Sequence, residues 1–165
     1  VNTVLNLIGL RFANRLFQPI WSNEHIERVE FLYDESLALE GRAGYYDTAG
    51  ALRDMIQSHL IQVLALFAME SIATLDAREL QDQKAQVMRA IRLWDSDPIA
   101  ASRRARYTKG SIDGRKVVDY IKEPGVDPSR LTETLAEVTL EVANNRWAGV
   151  PFVLRSGKAL GEVRK

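Results

Sequence analysis

The chain has no cysteine, which excludes disulfides, thiolate metal sites and a cysteine nucleophile. It has no net charge either, with Lys plus Arg and Asp plus Glu both at 22, so no overall field draws it to nucleic acid or to a membrane. Only two histidines occur, His25 and His59, too far apart for a zinc spacing. No long apolar run is present. The longest, Leu60 to Met69, is interrupted by Gln62 and reaches about half of the ~20 residues a membrane span requires, so it reads as a buried helix. No G-x-G-x-x-G follows a strand pattern, and no Walker loop or G-x-S-x-G elbow appears, so the chain carries no dinucleotide fingerprint of its own. An initiating Met, a basic leader and a small-residue cleavage site are also lacking, and the expectation is a cytoplasmic segment from within a larger protein.

What is present is the composition of a globular protein: 165 residues, 46% hydrophobic and 27% charged, which is one domain or a piece of one. Apolar residues Val4, Leu5, Ile8, Phe12 and Leu16 recur at helical spacing and predict a helix from Thr3 to about Leu16, stopped by Pro19. Alternation from Ile26 to Tyr33 predicts a strand ending in acids. Gly41, Gly44 and Gly50 punctuate a turn-rich stretch before a long helix from about Ala51 to Met69. Asp76 and Glu79 have capping-box spacing for a further helix to about Leu93. Asp97 to Arg130 reads as irregular loops with a short strand, whereas Leu135 to Val142 alternates cleanly and Phe152 to Arg155 gives one more strand. This order favours an α+β fold with a mainly antiparallel sheet packed against helices.

Several side chains could carry chemistry. His59 has the pKa range of a general base near neutrality, and on an ideal α-helix it shares an arc of about 140° with Asp54, Met55, Ser58 and Gln62. Pattern alone favours a blander role for His59, as a satisfied histidine on a helix facing loops. Glu35, Glu40, Asp47 and Asp54 supply carboxylates suited to hydroxyl-rich ligands, although acids also collect in turns and helix starts. "SRRARYTKG" gathers Arg103, Arg104, Arg106 and Lys109 and reads as a solvated surface rather than an RNA patch. "LRSGKALGEVRK" could hold a phosphate through Lys158 and backbone donors.

Four longer stretches, "LRFANRLFQPIW", "EGRAGYYD", "LRDMIQSHLIQVLALFAME" and "NNRWAGVPFVLRSGKAL", stand in the order and spacing of the C-terminal substrate domain of glucose-6-phosphate dehydrogenases. The chain resembles that family from about Asn6 to its end, and residues 1–165 read as a partial substrate-binding and dimerisation domain without the Rossmann half. The resemblance implies oxidation of glucose 6-phosphate at C1 to 6-phosphogluconolactone with NADP, or in some members NAD, in the pentose phosphate pathway. It implies His59 as the general base, Asp54 and Glu35 as ligands of the sugar hydroxyls, and Lys158 as a substrate-binding lysine near the phosphate. A second basic residue usually follows that lysine by five positions; here the position is Val163, with Arg164 next to it. The family's Asp-His-Tyr-Leu-Gly-Lys motif, which supplies phosphate ligands and an orienting Asp, does not occur in these residues. The expectations are therefore no dehydrogenase activity for the 165 residues alone, NADP bound mainly by the Rossmann half, glucose 6-phosphate as ligand, and a homo-oligomer with neither nucleic acid nor membrane as partner. A shortened sheet would also expose edges and favour self-association.

Overall fold

The computed structural model describes residues 2–74 and 76–161. Its strands are β1 (Val29–Asp34), β2 (Ile91–Leu93), β3 (Ser102–Ala105), β4 (Gly110–Ile112), β5 (Arg115–Val117), β6 (Leu135–Val142) and β7 (Phe152–Gly157), and its α-helices are α1 (Asn2–Ile8), α2 (Ala43–Ala51), α3 (Ile61–Ala68) and α4 (Ala77–Ala90). A five-stranded sheet runs β1-β7-β6-β2, with β3 also paired to β6; β1 and β7 are parallel and the other pairings antiparallel. The expected α+β fold with a mainly antiparallel sheet is what the chain adopts. No described helix is long and apolar enough to cross a membrane.

The sheet is organised around β6, whose alternation buries Ala136, Val138, Leu140 and Val142 and leaves Glu137, Thr139 and Glu141 half-buried on the other face. Register then puts Phe152, Leu154 and Ser156 of β7 on the buried side, opposite Leu140, Val138 and Ala136. An aromatic group fills the space between sheet and helices: Phe67 of α3 lies 4.6 Å from Trp21, 5.4 Å from Trp147 and 5.7 Å from Phe31, ring centre to ring centre.

Five segments differ from their sequence reading, the simplest being Asp97 to Arg130, read with one short strand, which holds three, β3, β4 and β5. The first helix is shorter, because α1 passes into one π-helical turn, Gly9–Ala13, and ends at Asn14. Within that turn Arg11 is buried, its guanidinium donating at 2.5 Å to the carbonyls of both Leu66 and Met69 across the end of α3. The glycine-rich stretch before Ala51 is not a run of turns but α2, broken only at Gly50, where φ is 70° and ψ is 170°. Burial of Tyr46 and Asp47 outweighs the poor helix propensity of Gly44. The long helix after Ala51 is a rod of two registers, π-helical over Leu52–Leu60 and α-helical over α3. Finally, α4 begins on the expected cap, where the Asp76 carboxylate accepts from the amides of Arg78 and Glu79, but stops at Ala90. Ile91 and Leu93 face Val142 and Leu140 as β2 instead, a sheet contact that periodicity could not reveal.

Candidate functional site

The parallel pair β1 and β7 ends side by side, with Asp34 opposite Gly157, so the next residue of each strand, Glu35 and Lys158, emerges at one edge. The pairing continues there: the Glu35 amide donates to the Gly157 carbonyl at 2.8 Å and the Leu160 amide to the Glu35 carbonyl at 2.9 Å. Lys158, only 8% exposed, places Nζ 2.7 Å from Glu35 Oε2 and 5.3 Å from the centre of the Tyr46 ring. Tyr46 is buried, and burial first, then the negative charge of Glu133, pushes its hydroxyl pKa well up, so it remains a neutral phenol under the ammonium.

The opposite wall comes from α2 and the π-helical segment. In that register each amide reaches back five residues; the Ile61 amide bonds to the Ile56 carbonyl and the Ser58 hydroxyl to the Arg53 carbonyl at 2.8 Å. Position i+5 therefore returns close to position i, and Asp54 and His59 share one side of the rod more closely than an α-helix would allow. Both line a cleft of about 290 Å³ together with Glu35, Lys158, Arg42 and Tyr45. The Tyr45 hydroxyl donates to Asp54 Oδ1 at 3.0 Å, which holds its own pKa up, and no hydrogen-bond partner of the His59 side chain is found among the described residues.

All four residues singled out in the sequence, Glu35, Asp54, His59 and Lys158, thus meet in one cleft. Val163 and Arg164 lie outside the described residues. Two other candidate carboxylates do not reach the cleft. Asp47 is 1% exposed and serves packing: it accepts from the Tyr120 hydroxyl at 2.6 Å, the Asp127 amide at 3.0 Å and Arg130 at 3.3 Å, pinning the 120–130 loop onto α2. Glu40 sits exposed at a turn with φ 50°. Arg155 of the basic "LRSGK" stretch is spent on the sheet, 3.2 Å from Asp34. His25 lines a separate groove with Asn23 and Gly149.

Sequence reading missed Arg42, whose cation reaches the cleft from the start of α2, and Glu133, which no local signal announces. Glu133 Oε1 accepts from the Leu52 amide at 3.0 Å, satisfying one of the free donors that open the π-helical segment. Chemically the cleft can accept from hydroxyls through Glu35 and Asp54, attract an anion through Lys158 and Arg42, and exchange a proton at His59. It fits a small, anionic polyol. None of the described strands leads through a glycine-rich turn into a helix.

Residues 8–165 match the family model described as the C-terminal domain of glucose-6-phosphate dehydrogenase. Over 160 residues the chain is 48% identical to glucose-6-phosphate 1-dehydrogenase 2 of Mycobacterium bovis, covering 96% of this chain and 31% of that protein. It is 44% identical over 164 residues to glucose-6-phosphate 1-dehydrogenase of Rhizobium meliloti, covering 96% and 32%. The crystal structure of glucose-6-phosphate 1-dehydrogenase from Mycobacterium avium superposes with a TM-score of 0.83 at 39% identity, over 97% of this chain and 33% of that one. A glucose-6-phosphate dehydrogenase in complex with its substrate glucose 6-phosphate gives the same TM-score, 0.83, at 36% identity, over 97% and 32%. The chain spans about a third of the length of the relatives it matches.

Proposed function

Because this chain belongs to the family of glucose-6-phosphate dehydrogenase C-terminal domains, we propose that it forms the sugar-phosphate site of an oxidoreductase that converts glucose 6-phosphate to 6-phosphogluconolactone. The observation that carries this reading is the convergence of His59, Asp54, Glu35 and Lys158 on one cleft from three separate parts of the chain. His59 takes the proton of the C1 hydroxyl as C1 is oxidised, since its imidazole is exposed in the cleft and free to accept it. Asp54 and Glu35 accept from sugar hydroxyls, and Lys158 turns from Glu35 toward the phosphate end. NADP is the oxidant, bound mainly by the Rossmann half that the family carries outside its C-terminal domain. Alone, the chain binds sugar phosphate without oxidising it. The parent enzyme is cytoplasmic, acts on no nucleic acid or membrane, and assembles as a dimer.

Replacing His59 by Ala in the full-length enzyme tests the reading. We expect kcat to fall about 10²- to 10⁴-fold with the KM for glucose 6-phosphate little changed, the pattern of a lost general base. An unchanged kcat would remove His59 from the chemistry.

A second reading makes the segment chiefly an assembly module. What favours it is the sheet face away from the helices, where Arg155 bridges Asp34 at 3.2 Å and Glu137 at 3.9 Å beside half-buried Leu32 and Thr139. Concentration-dependent dimerisation of the 165 residues without saturable binding of glucose 6-phosphate would support this alternative over the first.

A further inference from the structure

Tyr45 and Asp54 could not touch in a continuous α-helix. Nine positions carry a side chain about 900° around the axis, to the opposite side, and about 13.5 Å along it. Gly50 lies between them and breaks the helix at φ 70° and ψ 170°, a conformation left almost entirely to glycine. The broken corner is held from outside. A Cβ on Gly50 would sit 2.6 Å from Glu133 Oε1, the atom that accepts from the Leu52 amide, so the Glu133 carboxylate occupies the space that a side chain would need. On the near side of the corner, the Thr48 hydroxyl donates to the Tyr45 carbonyl at 2.7 Å.

The product of this construction is the 3.0 Å bond from the Tyr45 hydroxyl to Asp54 Oδ1. Tyr45 is 64% exposed, so its ring contributes little to the core and the bond is not there to satisfy a buried phenol. The bond does act on Asp54. A carboxylate on an exposed helical turn can swing about χ1 and χ2, and a tie at one oxygen fixes where the other points. Asp54 lines the cleft, and no partner of its Oδ2 is found among the described residues.

We propose that Tyr45 is a positioning residue for substrate binding: its hydroxyl orients the Asp54 carboxylate so that Oδ2 is presented to a hydroxyl of the sugar phosphate. This rests on the reading of Asp54 as a sugar ligand. Because the contact holds ligand and transition state alike, its loss acts on affinity and leaves the chemical step alone.

The test is steady-state kinetics of the full-length enzyme carrying Tyr45→Phe, Asp54→Asn, or both. Tyr45→Phe should raise the KM for glucose 6-phosphate about 3- to 10-fold, the range for one ordinary hydrogen bond, since Tyr45 acts on the sugar only through Asp54, with kcat within about twofold and the melting temperature unchanged. In the Asp54→Asn background the same substitution should have a smaller effect, since the neutral amide accepts the Tyr45 hydrogen bond more weakly and no longer presents a charged oxygen to the sugar. If Asp54→Asn raises KM but Tyr45→Phe does not, or if the two effects simply multiply, the role of Tyr45 is overturned while the sugar site stands. If Asp54→Asn leaves KM unchanged, the sugar-ligand reading falls and this inference falls with it.

Discussion

The rod from Leu52 to Ala68 has two halves that solve opposite problems. Its second half, α3, is apolar and largely buried, and the carbonyls at its C-terminal end are met by side chains from elsewhere: Leu66 and Met69 accept from Arg11, Phe67 from Trp21 Nε1 at 2.9 Å, and Ala68 from Trp147 Nε1 at 2.8 Å. Its first half buries only Ile56 and Leu60 and turns Arg53, Gln57, Ser58 and His59 to solvent. The contrast has a plain physical reason. A polar group in the interior costs free energy unless it is paired, so the buried half must be complete before any ligand arrives. A binding surface must instead leave acceptors and a titratable imidazole unspent, and it can do so only where water or a ligand can reach them.

The comparison breaks most severely at the buried half. Trp147 is fully buried, packs on Phe67 and Phe152 at 5.4 Å, and supplies the donor to the Ala68 carbonyl. Trp147→Ala should cost about 3–5 kcal/mol through the cavity it leaves, and more through the stranded carbonyl. Denaturant unfolding measures this. Sugar-phosphate affinity of the molecules that remain folded should not change, because Trp147 does not line the cleft.

Much of the buried half could be read from the chain, and little of the exposed half. Strand β6 was foreseen with both of its faces, because strict alternation over Leu135–Val142 admits only one register against a core. The Asp76 cap was equally plain, since it is a local interaction. Helix α2 was not, for its glycines argue for turns and its stability comes from the network around Asp47, some 80 positions away in the chain. Nor was the π register, whose first amide, that of Leu52, is met by a Glu133 carboxylate 81 positions away. At the cleft, pattern favoured a bland role for His59, and its reading as the base, like that of Glu35, Asp54 and Lys158 as ligands, came from family resemblance. The contacts of Tyr45 and Glu133 went unnoticed because they arise at the corner at Gly50 and not from any spacing.

That corner gives the next largest effect. Gly50→Ala forces a side chain into a conformation that costs about 1–3 kcal/mol and pushes Glu133 off the Leu52 amide. Unlike Trp147→Ala, it should damage both properties together, lowering stability and weakening sugar-phosphate binding as Tyr45 and Asp54 separate. Titration of glucose 6-phosphate well below the melting temperature of the variant distinguishes the two. Loss of stability with affinity intact would mean that the break in the rod serves packing alone.

The smallest expected effect belongs to the rim of the buried half. Arg146 makes a two-pronged ion pair with Glu70, with nitrogen–oxygen distances of 2.8 Å and 2.5 Å, and also donates to the Trp21 carbonyl at 2.9 Å. The hydrogen bond from Arg146 holds the Glu70 pKa below its ordinary value. A carboxyl whose folded pKa is depressed binds fewer protons in the folded state than in the unfolded one. Its stabilisation is therefore present above the ordinary carboxyl range and fades as pH falls through the lowered value. Glu70→Gln should remove that part of the acid dependence, flattening stability against pH below about 4.5 while leaving the neutral value reduced by no more than about 1 kcal/mol. Unfolding curves from pH 7 down to pH 3 measure both. The same substitution at Glu35, the cleft's own partner to a cation, should instead be read out in sugar-phosphate affinity, on the proposed reading of Lys158 as a substrate ligand.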